Sequence, residues 1–296
     1  MKAVVRSVRK HRIGKKRKLN RSAGGNFMIF TTLTIFGIFM ALPLVYALGN
    51  AFKPLNELWI YPPLLLPMNP TFKNFTDLFL LLQNSWVPIS RYFFNTVFIT
   101  VAGTAGQVLF ASLCAYPLAK HKFPGAKFIF AIIVLSLMFN TAVTSIPNYI
   151  TMVNLGWVDT YWAIIIPAAG SSLGLYLMKQ FMENSIPDSI LEAAKIDGAN
   201  EFRIFWTIVM PNVKPAWLTL IVFTVQGLWN MGASIFIYSE QLKTMTYAIS
   251  QILAGGLARA GVGSAVSVVM MAVPICVFIF TQSNIVQTMS SSGLKE

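Results

Sequence analysis

Six stretches of the chain carry no Asp, Glu, Lys or Arg: 22–52, 92–119, 128–158, 160–178, 215–239 and 260–294. Each is nineteen residues or longer, and a helix needs about 20 apolar residues to cross the hydrocarbon core of a bilayer. The pattern predicts six spanning helices, at about 27–46, 92–116, 128–148, 160–178, 212–235 and 264–286. A further apolar run, "LWIYPPLLLPMNPTF" (Leu58 to Phe72), is too short to span, and its four prolines cannot continue a helix. It belongs to a connecting segment, 52–89, rich in proline and aromatic residues. The expected fold class is all-α, a polytopic membrane protein with six transmembrane helices. No internal repeat or low-complexity linker interrupts it, so a tail at 1–26 precedes one six-span domain at 27–296.

Composition supports the membrane reading. Of the 296 residues 55% are hydrophobic and only 11% charged, where a soluble domain carries about 25% charged residues. Lysine and arginine set the orientation. Six spans put both termini on one side, with the loops near 117–127 and 179–214, and that side collects eighteen of the 23 basic residues. Lys53, Lys73, Arg91, Lys243 and Arg259 fall on the other. The positive-inside rule makes the termini cytoplasmic. The tail "MKAVVRSVRKHRIGKKRKLNRS" holds ten basic residues and no acid. It reads as a topology anchor on anionic lipid rather than a nucleic-acid arm. It is not a cleavable signal, because no A-x-A-like site follows and the next apolar run is long enough to remain as a span. Cys114 and Cys276 lie in spans, and with His11 and His121 they make no metal-ligand spacing.

One segment breaks the pattern. Five of the ten acidic residues (Glu183, Asp188, Glu192, Asp197 and Glu201) crowd between the fourth and fifth spans. The stretch "SIPDSILEAAKIDGAN" reads as a helix of about three turns. Pro187 suits the first helical position, Asp188 meets the positive end of the helix dipole, and Gly198 suits a left-handed C-terminal cap. Ile186, Ile190, Ala193, Ala194 and Asp197 approximate a stripe, with Ala193 and Ala194 as a smooth surface that another protein's groove can approach. Asn200 is placed to cap a second helical stretch. Pro211 and Pro215 are expected to bend the entry to the fifth span. Composition alone leaves two readings open, a solvated connector and a docking helix.

The pattern Glu192-Ala193-Ala194, three residues, Gly198, nine residues, Ile208, two residues, Pro211 resembles the "EAA" loop of ABC importer permeases. Asp197, Ala199 and Phe205, "NLGWVDTYWAIIIPAA" and "RYFFNTVFIT" are similar to the carbohydrate branch, the maltose-type, binding-protein-dependent permeases. Met210 departs from the usual leucine, a mild apolar swap. The resemblance covers most of the chain from about residue 54 onward. It implies a type I importer permease fold in a bacterial cell membrane. The loop, about 183–211, would be a coupling helix seated in a cleft of an ATP-hydrolysing subunit, with Glu192, Ala193, Ala194, Asp197, Gly198, Ile208 and Pro211 as the coupling residues. It further implies a second, homologous permease subunit, two ATPase subunits, an extracytoplasmic sugar-binding protein and a sugar or oligosaccharide as cargo.

The chain is not expected to be an enzyme. A P-loop needs G-x-x-x-x-G-K-[ST], and the sole Gly-Lys pair, Gly14-Lys15, is followed by Lys16 inside the basic tail. ATP and magnesium would be held by the partner ATPases, leaving this chain without a cofactor. The alternative is an ion-coupled secondary transporter of a small polar solute. Proton-driven carriers place ionisable residues inside spans, and these span interiors have none, although sodium coupling through neutral oxygens is not addressed by that. For the substrate pathway the candidates are amides and flat aromatics in or beside spans: Asn140, Tyr149, Gln226, Trp229 and Asn230, with Asn148 and Tyr176 behind them. "QGLWN" is the leading cluster, against a reading in which polar residues bond helices together. Gly170 and Gly174 form a small-xxx-small pair suited to close helix packing.

Overall fold

The computed structural model describes residues 23–83, 87–232, 234–256 and 259–292. The basic tail and its Gly14-Lys15 pair lie outside the described residues. Contacts divide the chain at Tyr46 into a first unit and a second, Ala47–Glu296. The first unit is the greater part of helix α1 (Ala23–Ala51), apolar on every side, with Phe27, Phe30, Phe36 and Phe39 exposed.

The second unit is helical throughout, with no strand among the described residues. Two helices, α2 (Leu55–Leu58) and α3 (Lys73–Gln83), follow α1, and between them the proline-rich run stays irregular, as its composition requires. Side chains meet part of its polar backbone. Glu57 accepts from the N–H groups of Met68 and Asn69, each at 3.0 Å, and from the Asn69 amide at 2.9 Å. Burial raises the Glu57 pKa, but the Asn69 amide and those two N–H groups outweigh it and hold the carboxyl below its usual range.

Helix α4 (Ile89–Lys120) is the centre of the fold and packs against α7 (Trp162–Ala169), α8 (Ser172–Ser185) and α12 (Lys214–Trp229). It fills the second charge-free window. Glycines set how closely it is approached: a Cβ on Gly174 of α8 would lie 2.6 Å from Gln107 Nε2 of α4. Gln107 in turn accepts from the Thr224 hydroxyl of α12 at 2.5 Å. The amide thus bonds α4 to α12, as polar groups do where hydrocarbon supplies no hydrogen bonds, and fits against α8 where Gly174 leaves room. Gly170 does otherwise: its missing side chain would meet only carbonyls of its own helix. It ends α7 instead of packing, so only Gly174 of the expected pair serves close contact.

Among the described residues, four helices are long and apolar enough to cross a membrane: Gly24–Ala51, Ile89–Lys120, Trp162–Ser185 and Ala260–Gln282. A fifth arises if the bent pair Glu201–Asn212 and Lys214–Trp229 is one span. The third expected span is not one helix. It divides into α5 (Ala126–Ser136) and α6 (Thr141–Asn154). The N–H groups of Leu137, Met138 and Phe139 bond back only three residues, tightening and ending α5. The Asn140 carbonyl then accepts from Val143 and Thr144 to start α6. Absence of charge marked the window but carried no information on helix continuity. The fifth window also ends early, at Trp229 rather than 235, where the chain turns into a folded loop.

That loop, with a 3₁₀ turn at Glu240–Leu242 and α13 (Met245–Leu253), covers the Ile89 end of α4. The Asn95 amide donates to the carbonyls of Gln241 and Lys243, each at 2.8 Å, and the Met245 N–H donates to the Thr96 hydroxyl at 2.8 Å. Asp159, at φ +60°, accepts from the N–H groups of Tyr238 (2.9 Å) and Ser239 (2.8 Å) and pins the same loop. The last helix, α14 (Ala260–Ser292), contains Pro274. Proline has no N–H for the carbonyl four residues earlier, and that carbonyl, on Met270, is met by the Trp229 indole at 2.9 Å.

Candidate functional site

The acidic island folds as a compact turn of three short pieces. Residue Ile186 closes α8 in extended conformation and Pro187 is the N-cap of α9 (Asp188–Ile196). The proline thus stands one position before its expected place, because its φ of −65° with ψ of 138° suits the cap as well. Asp188 lies in the first turn and Lys195 in the last, each complementing the helix dipole. At the other end Gly198 takes φ +77°. The Gly198 N–H donates to Lys195 O and the Ala199 N–H to Ala194 O, both at 3.0 Å. That pair of bonds is a Schellman cap, and its left-handed residue is the one where any side chain is disfavoured. Asn200 then caps α10 (Glu201–Ile204), its side-chain oxygen accepting from the Arg203 N–H at 2.8 Å. A π-helical turn (Phe205–Val209), which the sequence pattern did not indicate, leads into α11 (Met210–Asn212). The chain bends by 75° before α12, as Pro211 and Pro215 led one to expect.

The buried face of α9 differs from the stripe read in the sequence. Leu191 and Ala194 are buried with Ile186, in one core with Ala111, Ala115 and Tyr116 of α4 and Met178 and Met182 of α8. Ile190, Ala193 and Asp197 are exposed. Ala193 and Ala194 therefore do not share one surface: Ala194 seats the helix on its own protein and Ala193 faces away. Leu191 and Ala194, three positions apart, share the face that packs on α4 and α8. On the outward side Glu192, Ala193 and Asp197 stand with Ile190 and Ile196, the latter 86% exposed, and Phe202 of α10 is 69% exposed. Ile208 is half-buried against the core below, and Pro211 is exposed at the bend.

Charge fixes the island on its inner side. Lys120, the last residue of α4, donates to Ile186 O at 2.6 Å and to Asp188 Oδ1 at 2.8 Å. That hydrogen bond and the ammonium charge hold the Asp188 carboxyl below its usual pKa. Glu201 accepts from Lys195 at 2.7 Å and from the Tyr116 hydroxyl at 2.8 Å. The Lys195 hydrogen bond is the main cause that holds its pKa low, acting against partial burial. Lys120 and Tyr116 were not singled out from the sequence. The signal available was a lysine at the end of a long apolar helix, which reads equally as an interface anchor.

The pathway candidates do not form one site. Asn140 stands in the break between α5 and α6. Tyr149 stacks on Phe236 at 6.2 Å and shares a hydrogen bond with the Tyr238 hydroxyl. Gln226 faces an apolar groove between α12 and α14, lined by Val222, Pro274 and Phe278. Asn230 is exposed but folds back, its amide donating to Gln226 O at 2.9 Å. Trp229 is 4% exposed, and its indole N–H is committed to Met270. Its edge meets Phe93 at 6.5 Å. It offers no free face for stacking and joins helices instead. A cavity of about 200 Å³ lies under the loop after α12, lined by Ile164, Ser234, Lys243, Thr244 and Tyr247, and none of the five candidates borders it.

Comparison with known proteins agrees with this architecture. Residues 107–290 match the family described as binding-protein-dependent transport system inner membrane component. Protein LplC of Bacillus subtilis (strain 168) is 33% identical over 213 residues, covering 71% of this chain and 70% of that protein. The polygalacturonan/rhamnogalacturonan transport system permease protein YtcP of the same organism is 28% identical, over 81% of this chain and 84% of that one. Among solved structures, a bacterial ABC transporter involved in the import of the acidic polysaccharide alginate superposes with a TM-score of 0.73 at 25% identity, over 89% of this chain and 98% of that chain. The central α4 with α7, α8 and α12 packed around it, the helices able to span a membrane and a match over residues 107–290 lead to one conclusion: this chain belongs to the family of binding-protein-dependent transport system inner membrane components, the multi-pass permeases of ABC importers.

Proposed function

We propose that the chain is a transmembrane subunit of an importer that moves a sugar or oligosaccharide into a bacterial cell, driven by ATPase subunits that grip the 183–211 loop. The observation that carries this is the two-sided helix α9. Leu191 and Ala194 anchor it to the membrane domain, while Ile190, Ala193, Ile196 and Asp197 present a small-residue, partly apolar face outward. An apolar patch on a charged loop outside the bilayer marks a surface that another protein covers. Glu192, exposed beside it, would meet basic groups on the rim of the ATPase cleft. Saccharide cargo is supported by the saccharide systems named for YtcP and for the alginate importer. A homologous second permease would complete the pathway, and two ATPases would bind ATP and magnesium. An extracytoplasmic binding protein, as the family's description implies, would deliver the sugar.

The spans number six in this reading. The broken segments α5 and α6 cross together, and the bent stretch through α12 is the fifth. Both termini and the 183–211 loop are then cytoplasmic. Single cysteines at Lys122 should react with an impermeant thiol reagent only from the cytoplasmic side, and those at Asn69 and Lys243 only from outside. Labelling of position 122 from outside would contradict the arrangement.

The transport reading is tested in proteoliposomes holding the assembled complex, with ATP enclosed and the binding protein outside. Uptake should require enclosed ATP and survive ionophores. Uptake that persists without ATP and collapses with an ion gradient would establish ion coupling instead.

A further inference from the structure

We propose that α4 is the helix on which the coupling loop acts, with Lys120 and the Tyr116 hydroxyl as positioning groups that bind both ends of α9 to it. The inference rests on the coupling reading above and adds where the motion enters the membrane. Chain connectivity alone would assign that role to α8, which precedes α9 directly. The connection, however, is the extended pair Ile186–Pro187, whose ψ angles of 109° and 138° interrupt the helix. No helical hydrogen bond carries force through such a joint.

Lys120 spans it. Its side chain is 6% exposed and its ammonium is held by three oxygens: Ile186 O at 2.6 Å, Asp188 Oδ1 at 2.8 Å and Glu183 O at 3.4 Å. Three donors on one ammonium are thereby used. They take a carbonyl from the last turn of α8, the carbonyl of the joint and the first carboxylate of α9. One turn earlier on α4, the Tyr116 hydroxyl donates to Glu201 Oε2 at 2.8 Å. The other oxygen of that carboxylate accepts from Lys195, in the last turn of α9, at 2.7 Å. The Tyr116 ring also lies 5.7 Å from Phe205 and edge-on to His121 at 5.2 Å. The first end of α9 is therefore bonded directly to the last turn of α4, and its other end through Glu201 of α10, with Leu191 and Ala194 buried between them.

The other end of α4 is bound as firmly. Asn95 and Thr96 hold the 241–245 loop through three hydrogen bonds of 2.8 Å. A helix of 32 residues is about 48 Å long and so reaches from the coupling loop to the opposite face. Displacement of α9 moves α4, and α4 carries the movement to the outer loop, where delivered sugar enters.

The test uses the assembled complex with its ATPases and binding protein. The pair Lys120→Met and Tyr116→Phe removes the bonding groups and keeps the apolar stems. ATPase association and basal hydrolysis should stay within about twofold of the parent, while sugar moved per ATP falls about tenfold, the scale of a coupling free energy between sites. Unchanged sugar per ATP at matched amounts of complex would overturn the proposal. The second arm holds if the first variant fails to assemble. In a chain with Cys114→Ser and Cys276→Ser, Lys120→Cys and Asp188→Cys are joined by a short bifunctional thiol reagent. If α4 and α9 move as one body, the link replaces the lost Lys120–Asp188 bond, and linked complex should regain sugar moved per ATP to within about twofold of the parent, above the unlinked complex. A link that stops uptake while the ATPases stay bound would show that the helices slide past each other, and the proposal would fall. Failure of the coupling reading itself is distinguishable, since the parent chain would then bind no ATPase before any residue is changed.

Discussion

Gly198→Val should leave the protein in the membrane at normal abundance and cut sugar uptake by about tenfold. Residue 198 sits at φ +77° with no atom near its missing side chain, so the strain is entirely in the backbone. A left-handed conformation costs an ordinary residue about 1–2 kcal/mol, and a β-branched one more. Tenfold in a population corresponds to about 1.4 kcal/mol, so the docked loop end loses most of its occupancy. With it go the bonds from Gly198 and Ala199 to the last turn of α9 and the start of α10 at Asn200. Gly198→Ala should fall between parent and Val, and Gly198→Asn should be milder still, because asparagine tolerates this region. Uptake normalised to permease amount, beside proteolysis of the loop, checks the order. Equal uptake across the series would mean that the cap geometry does not matter to transport.

Trp229→Ala is expected to act on assembly and stability rather than on sugar recognition. Its ring is buried among α12, α14 and Phe93, and its N–H fills the carbonyl that Pro274 leaves open. Its own carbonyl accepts from the Thr246 hydroxyl at 2.9 Å, tying α13 to the end of α12. Truncating a buried aromatic costs about 3–5 kcal/mol. Folded yield in mild detergent and the unfolding temperature should both drop sharply. Trp229→Phe separates the contributions: it keeps ring contacts but orphans Met270 O, a cost of about 1–3 kcal/mol. A Trp229→Ala protein of parental stability that transports poorly would restore the residue to the sugar pathway.

These two positions show what a sequence conveys and what it does not. Gly198 and Asn200 were legible because capping is local chemistry, decided within five residues by φ and one side-chain oxygen. Lengths free of charge identified α4 and α14 because the bilayer sets a minimum apolar length. Continuity was not legible in the same windows: nothing in composition distinguishes the break at 137–140 from an unbroken helix. The partners of Trp229 and Lys120 were not legible either. Trp229 answers a proline forty-five residues later, and Lys120 answers carbonyls more than sixty residues away. The face of α9 lay in between. The apolar positions were visible, but which of Ala193 and Ala194 turns inward depended on packing against α4 and α8, elements distant in the chain.

The central claim is that the outward face of α9 is where separate ATPases hold this permease. Co-purification tests it most directly, with a tagged chain extracted from membranes that also contain the two ATPase subunits and the second permease. The parent should retain the ATPases. Ala193→Arg, which sets a long cation on the smooth exposed face, and Glu192→Lys, which reverses the charge beside it, should each lose them while the second permease stays bound. Retention of both ATPases at parental amounts in both variants would contradict the account and leave the island a solvated connector.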